Sequence, residues 1–563
     1  MPKSQASHPH PILLAAMALG LSFSVGCDSS SLRTGSNQGS GGIGGVFAAD
    51  AAMESGGVSN TGGTLGQGEG GVGSGGVGSG GEGSGSVGSD GPASPPTGTG
   101  GPTGGNGLGG SKTGGMPGTG GFALPGTGGR TGLGSGGSTE PGTGGSTPVA
   151  VTVNLDQTKQ TMDGFGITST WAPTLSDSDA DALFDATNGI GLSILRVGMG
   201  PDGNPMSSNI YSDIKKAKAR GVTTFIASVY SAPTGCKDSS KHLLLSCYES
   251  WSSTMAAFPD KVKQNAGVDL DAMSVQNEPD YTSSGDNNTM IYSAEEMVAF
   301  IKVLGPKLRA LSPQVLVIAP DATEWGRLWT NQSAPGASDP LGGKYDYGHA
   351  LAKDLEAWSQ VDLVGAQLYD TQVAVPWPSD VPERKPVWMT EVSGVKGWPE
   401  AGPSSEINNG IAVAGWIHDA IVNGNASAWL WFWYKAGATD DNEGLLLKNG
   451  TDTKRRYTLG NFSRFIRPGT TRVDIAGNPP SDVLLSAYQA SGTDSTFVIV
   501  AINKGSATAN VPISILGGTA PAVLTSWVTS ASDNLNSGPE VTVSGGSFTA
   551  ALPSMTVTTF VGK

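Results

Sequence analysis

The sequence predicts an α/β protein, a (β/α)8 TIM barrel with an appended C-terminal β-sandwich. Three observations lead there. Between Gly164 and Trp433, short apolar runs alternate with helical stretches eight times, the pattern of a closed parallel sheet wrapped by helices. None of these runs leads into a Gly-x-Gly-x-x-Gly phosphate turn, which weighs against an open doubly wound sheet. Beyond Phe465 the chain turns to short strands of alternating polarity separated by turn residues, as a β-sandwich requires.

A length of 563 residues exceeds one ordinary domain and predicts two or three. Glycine is extreme, at 87 residues, and its uneven distribution marks where folding begins. Residues 1–27 read as an export signal: Lys3 near the start, the apolar run Ile12–Phe23, then Ser24-Val25-Gly26. The run is too short to be a membrane span. Cys27 directly after the small residues resembles a bacterial lipoprotein lipobox, although Ser24 stands where an aliphatic residue is usual. Lipidation of Cys27, and a membrane tether through it, is the expectation. Residues 28–147 repeat Gly, Ser, Thr and Pro with few apolar side chains, so burial cannot offset the entropy of ordering them. A disordered linker is expected there, with a reach on the order of 60 Å.

The catalytic domain is expected over residues 148–466 and the sandwich over 467–563. Val149–Asn154 alternates as a strand ahead of the barrel, and residues 148–158 are expected to pair into the sandwich, tying the domains together. The eight barrel strands are placed at Gly164–Thr168, Leu192–Val197, Thr223–Val229, Ala272–Gln276, Val315–Ala319, Leu363–Leu368, Val387–Thr390 and Ala428–Trp433. Ser176 opens a helix over Asp177–Ala186, and Gly221 closes one over Ile210–Arg220. Ser293-Ala-Glu-Glu296 is a capping box leading Met297, Phe300, Ile301, Leu304 and Leu308 at helical spacing. Pro306 is expected to kink or interrupt that helix. Two further helices fit Tyr347–Trp358 and Ile407–Val422. Sandwich strands are placed at Leu484–Tyr488, Phe497–Ile502, Val511–Ile515, Ala522–Val528, Val541–Val543 and Met555–Val561.

Formal charge is −15, with 33 basic against 48 acidic residues. That excess argues against nucleic acid and anionic membrane surfaces as partners and favours a soluble, neutral or weakly charged ligand. Cys236 and Cys247 lie in a loop-like stretch of an exported chain, so a disulfide between them is expected. Of the five histidines, His242, His349 and His418 show neither metal-ligand spacing nor a serine partner. No metal and no cofactor is expected, and the chain is taken as a monomer.

The chemistry is expected at the carboxyl ends of the barrel strands. The fourth strand ends in Asn277-Glu278-Pro279, where proline stops sheet pairing and turns the chain into a loop. The seventh, in Val387-Trp-Met-Thr-Glu391, also ends on a carboxyl group. Strands four and seven stand nearly opposite across a barrel mouth, so Glu278 and Glu391 would face each other over a cleft. Two facing carboxyls are the apparatus for cleaving a glycosidic bond, one protonated and one ionised, with their repulsion dividing the roles. Trp433 on strand eight is favoured over Trp431 as a platform for a sugar ring, with Trp171, Trp325 and Trp398 as weaker candidates after other strand ends. Arg196, ending strand two, is expected to brace the carboxylates.

These strands, the barrel and the appended sandwich resemble glycoside hydrolase family 30. The segment Leu459-Gly-Asn-Phe-Ser-Arg-Phe-Ile-Arg-Pro-Gly469 is especially similar to the glucuronoxylanase-like branch. The resemblance, which covers about Thr147 to Lys563, implies that Glu278 is the general acid/base and Glu391 the nucleophile. It implies that Asn277 bonds the sugar 2-hydroxyl and that Tyr369 steadies the nucleophile. A polysaccharide, β-1,4-xylan first, is the implied substrate, cut with retention by a secreted or lipid-anchored enzyme. The alternatives are another β-glycan such as a β-1,6-glucan or, in another class, a non-catalytic carbohydrate-binding surface protein. Two departures stand out. The loop Ser231-Ala-Pro-Thr-Gly-Cys-Lys237 has Gly235 where xylanases of the family carry a Trp. The loop after strand eight offers Lys435, followed by Asp440 and Asp441, where members that need a glucuronate branch use Arg and Tyr. Lys435 can pair with a carboxylate, but a strict glucuronate requirement is not implied.

Overall fold

The structure is a computed structural model and describes residues 150–282, 288–332, 339–369, 374–394, 405–435, 442–490 and 496–563. Cys27, the linker, Trp398, Asp440 and Asp441 lie outside the described residues.

The first strand, β1 (Val151–Thr161), runs well past the expected end at Asn154. Eight parallel strands follow and close on themselves: β2 (Gly164–Thr168), β3 (Ile194–Met199), β4 (Thr224–Val229), β5 (Ala272–Ser274), β6 (Leu316–Ala322), β7 (Leu363–Gln367), β8 (Val387–Glu391) and β9 (Ala426–Trp431). β9 pairs back onto β2, which completes the barrel. Each strand falls where the sequence places it, with ends displaced by three residues or fewer. The interior is packed rather than open: Ile194, Ile226, Ala272, Ile318, Leu363, Trp388, Ala428 and Leu430 form one buried cluster inside it. Side chains facing outward, such as Leu195, Val197 and Phe225, pack with the surrounding helices. A strand buried on both faces reads as a continuous apolar run, which is why the sequence locates it.

The helices are α1 (Asp177–Phe184), α2 (Ile210–Lys218), α3 (Tyr248–Ala256), α4 (Phe258–Ala266), α5 (Ala294–Arg309), α6 (Tyr347–Lys353), α7 (Leu355–Gln360), α8 (Ile407–Val422) and α9 (Lys454–Ser463). The capping box at Ser293 and Glu296 is formed. Pro306 does not interrupt α5, which continues to Arg309. The lost backbone donor is outweighed by Leu304 and Leu308, both fully buried on either side of it. The expected single helix over Tyr347–Trp358 is two. The chain breaks at Asp354, whose carboxylate accepts a hydrogen bond from Ala357 N at 3.0 Å and so caps the second helix.

The C-terminal strands are β10 (Thr471–Ala476), β11 (Val483–Gln489), β12 (Phe497–Asn503), β13 (Ala509–Leu516), β14 (Val523–Thr529), β15 (Asn534–Ser537), β16 (Val541–Thr542), β17 (Ser547–Leu552) and β18 (Thr556–Gly562). Their order is β15-β14-β18-β12-β11-β10-β1-β13-β17, with β16 on β14. The strand from before the barrel therefore lies inside this sheet, antiparallel to β10 and parallel to β13. The sheet curls into a sandwich. Phe548 on β17 meets Phe560 on β18, ring centroids 5.7 Å apart, although those strands are not paired. β12 is buried along its whole length. Phe497, Ile499 and Ala501 face the sandwich core, while Val498, Val500 and Ile502 join the barrel's core cluster. Asn461 on α9 adds a polar clamp, donating to Trp527 O and accepting from Thr529 Oγ1 at 2.6 Å. Among the described residues no helix is long and apolar enough to cross a membrane.

Candidate active site

β5 stops at Ser274, and the next residues leave the ladder one bond at a time. Asn277 N donates to Val229 O at 2.6 Å, and Glu278 N to Asp321 O at 3.2 Å. Glu278 sits at φ +48, in the left-handed region that a residue with a long side chain seldom occupies. The loop is fixed from below by Asp280, whose carboxylate pairs with Arg327 at 2.8 Å and accepts from Thr323 Oγ1 at 2.7 Å, all of it buried. Glu278 is 3% exposed, and its Oε1 is buried without a hydrogen-bond partner among the described residues.

Glu391, the last residue of β8, is fully buried but not bare. Arg196 of β3 forms an ion pair with its Oε2, and the Tyr369 hydroxyl donates to its Oε1 at 2.5 Å. Arg196 is itself held by Ser228 Oγ of β4 at 3.2 Å. Glu391 thus has two strong donors. Glu278 has burial and negative neighbours.

The electrostatics divide accordingly. Burial, then Glu391 and Asp280, hold the Glu278 carboxyl well above the usual carboxylate range, with Arg196 opposing. Burial also raises Glu391, but there Arg196 and then Tyr369 pull the other way. Both carboxyls are raised, and Glu278, which lacks the two donors, is held the higher, so a single proton shared by the pair favours Glu278 over Glu391. Glu278 feels the charge of Glu391, and Arg196 acts on both, so the two carboxyls occupy one electrostatic site.

A third acid was not evident from the sequence. Asp321, at the end of β6, is buried at φ +73 and accepts from Thr390 Oγ1 at 2.6 Å. Its backbone oxygen carries Glu278 N, and Thr390 immediately precedes Glu391, so one residue ties both glutamate-bearing segments together. Burial raises its carboxyl well above the ordinary range.

Trp433 is half-buried at the rim, and its indole Nε1 donates to Thr170 O at 2.8 Å. Trp431 is buried, donating to Glu443 O at 2.6 Å. Trp171 follows Thr170 and stands over Tyr230, ring centroids 4.7 Å apart. Tyr230 in turn feels Arg196, Glu391 and Glu278. Trp325 corrects an expectation: it is 1% exposed, with its ring packed so closely on Gly424 that a Cβ there would lie 2.7 Å away. It is core, not a sugar platform. Lys435 also differs from the expected substrate cation, because its ammonium pairs with Asp179, in the first turn of α1, at 3.0 Å. Asn277 is buried next to Glu278, and Gln367 Nε2 donates to its Oδ1 at 3.4 Å.

Cys236 and Cys247 are joined by a disulfide, with Cα atoms 5.6 Å apart. A Cβ added at Gly235 would meet nothing within 4 Å among the described residues. Within the loop that the disulfide closes, Leu245 is 77% exposed. Among the described residues no group of three or more His, Cys, Asp and Glu is placed to hold a metal.

No family model matches the chain. The glucuronoxylanase XynC of Bacillus subtilis strain 168 is 32% identical over 435 residues, spanning 73% of this chain and 91% of that protein. The chain belongs to glycoside hydrolase family 30. Solved family 30 xylanases agree in fold. One is an endoxylanase of Clostridium papyrosolvens C71, 31% identical, TM-score 0.60, covering 74% of this chain and 100% of that one. Another is the subfamily 8 xylanase Xyn30A of Clostridium acetobutylicum, 29% identical, TM-score 0.61, covering 74% and 99%. As a family 30 glycoside hydrolase, the protein has a reason to bury three acids around one arginine. An enzyme that must donate a proton and present a carboxylate at the same pH needs neighbouring groups of unequal acidity.

Proposed function

We propose that this protein is a retaining endo-β-1,4-xylanase working through Glu278 and Glu391. Glu278, the protonated member, gives its proton to the glycosidic oxygen as Glu391 attacks the anomeric carbon. The leaving chain departs and a glycosyl ester forms on Glu391. Glu278, now ionised, takes a proton from water, which hydrolyses the ester and restores the starting state with the sugar's configuration retained. Arg196 and Tyr369 keep Glu391 ionised and aimed, Asn277 bonds the sugar 2-hydroxyl, and Trp433 and Trp171 offer ring faces to the chain. The observation that carries the reading is the unequal bonding of the two carboxyls: two donors on Glu391 and an unpartnered oxygen on Glu278. The named substrates of the relatives favour xylan over another β-glycan. Residues 1–27 are proposed as an export signal ending at a lipidated Cys27, with 28–147 as a tether.

The test is hydrolysis of glucuronoxylan, arabinoxylan and β-1,6-glucan by the wild-type chain and by Glu391→Ala. Reducing ends should appear from the xylans with the wild type and from none with the variant. Full activity in the variant would overturn the assignment.

A further inference from the structure

A cavity of about 510 Å³ lies between strands β10 and β11 of the sheet and the C-terminal half of α8. It is not the barrel mouth. Asn425, just before β9 begins, lines it, whereas the glutamates stand at the opposite strand ends. A strand of this length puts roughly 20 Å between the two.

Its lining is cationic in a chain of net charge −15. Arg472 is only 9% exposed and donates from Nε to Gln160 Oε1 at 2.8 Å. Arg384 is exposed. Among the described residues neither arginine has an ion pair, while Lys159 pairs with Asp474 at 3.0 Å. The Nδ1 of His418 is buried without a partner there, and burial pulls that imidazole down to about 4, so it is neutral at ordinary pH. Burial pulls the Arg472 guanidinium down, and Tyr488 and Asp474, the latter already paired with Lys159, oppose it only in part; a bound anion would recover that cost through charge-assisted hydrogen bonds. The volume suits a small organic ligand rather than a bare tetrahedral ion, and the half-buried Trp377 supplies an apolar ring face in the wall.

We propose that this cavity is a second saccharide site that takes a uronate, a sugar ring bearing a carboxylate, from an acidic xylan branch. It would hold the polymer at a distance from the point of cleavage. The ligand class rests on the xylan reading above, and the test separates the two by measuring binding without turnover. The full chain carrying Glu391→Ala is titrated calorimetrically with a glucuronate-bearing xylo-oligosaccharide, with the neutral oligosaccharide of equal length, and with inorganic phosphate. Two sites are expected for the acidic ligand and one for the neutral one. Adding Arg384→Glu, a change at an exposed residue, should weaken the second site at least about tenfold, while the chain with Glu391 intact and Arg384→Glu keeps its rate on short neutral oligosaccharides. A single site for the acidic ligand, a second site indifferent to Arg384→Glu, or phosphate binding there as tightly as the uronate would overturn the proposal. Binding at the second site by a chain that cuts no xylan would sink only the hydrolase reading.

Discussion

Removing the hydroxyl of Tyr369 isolates one of the two interactions that favour the ionised form of Glu391. Its Oη lies 2.5 Å from Glu391 Oε1, and the bond lowers the pKa of that carboxyl against the upward pull of burial. A hydrogen bond from a neutral donor to a buried charge contributes about 1.5–3 kcal/mol. At about 1.4 kcal/mol per unit, Tyr369→Phe should raise the Glu391 pKa by roughly one to two units. Attack requires the carboxylate, so the acid limb of kcat/KM, which reports the free enzyme, moves to higher pH by that amount. Below the limb the variant should lose roughly 10- to 100-fold, and above it most of the rate should return, because Arg196 still pairs with Oε2. The assay is initial-rate release of reducing ends from soluble xylan over about pH 4 to 9. An acid limb at the wild-type pH, or a loss equal at every pH, would refute the assignment of Tyr369 as the donor that tunes this carboxylate.

Other outcomes are open to measurement. Glu278→Ala should slow xylan hydrolysis by roughly 10²- to 10⁴-fold but slow the first step far less on an aryl xyloside whose leaving group needs no proton; equal losses on both would remove Glu278 as the acid. Asp163 is buried among Ser427 and Trp388, and burial raises it to about 8 despite hydrogen bonds from both. The folded state therefore holds a proton that the unfolded chain releases near pH 4, and this stability is whole below that pH and lost as pH climbs to about 8, on the order of 5 kcal/mol. Asp163→Asn should flatten that dependence, raising Tm at pH 8 relative to wild type more than at pH 4; parallel Tm curves would contradict it. With Lys435 neutralised by Asp179, glucuronoxylan and arabinoxylan should be cut at rates within roughly tenfold of each other, since no unpaired cation there supplies the 1.5–3 kcal/mol of a charged contact; a larger preference for glucuronoxylan would show that another group reads the branch.

The barrel was legible because each of its strands is apolar on both faces and ends at punctuation, Pro279 after Glu278 being the clearest case. The sheet was less so. β17, Ser547–Leu552, exposes every second residue and β15, Asn534–Ser537, buries only Leu535, so their small and polar side chains read as turn. No element is placed over Tyr248–Ala266 from the sequence, yet it holds α3 and α4, which bury Trp251, Met255, Phe258 and Val262 on a face shared between two short helices rather than one long one. At the site, residue types at strand ends indicated the two glutamates and Arg196. They did not indicate which tryptophans point outward: Trp325 and Trp433 both follow strand ends, and only packing on Gly424 separates core from rim. Nor does a sequence display backbone strain, yet Trp171, Glu278, Asp321 and Trp433 all have positive φ, between 31° and 73°.

That strain has a common location and therefore a common cause. Each of the four residues lies where a barrel strand meets its loop, and each is held there by bonds to a neighbouring strand or loop: Glu278 to Asp321, Trp433 to Thr170, Trp171 to Ser207. A left-handed residue costs about 1–3 kcal/mol and persists only where its surroundings over-determine it. Buried charge adds to the cost, and the cluster limits it by arithmetic of proton and cation. Asp280 and Glu324 share Arg327, and Glu391 has Arg196. Among the described residues Asp321 and Glu278 have no cation of their own, and burial raises both. Held neutral, they leave one carboxylate matched to one guanidinium at the barrel mouth. A second negative charge there would have to be stabilised by Arg196 at the expense of Glu391, so any change that ionises Asp321 weakens the hold of Arg196 on Glu391.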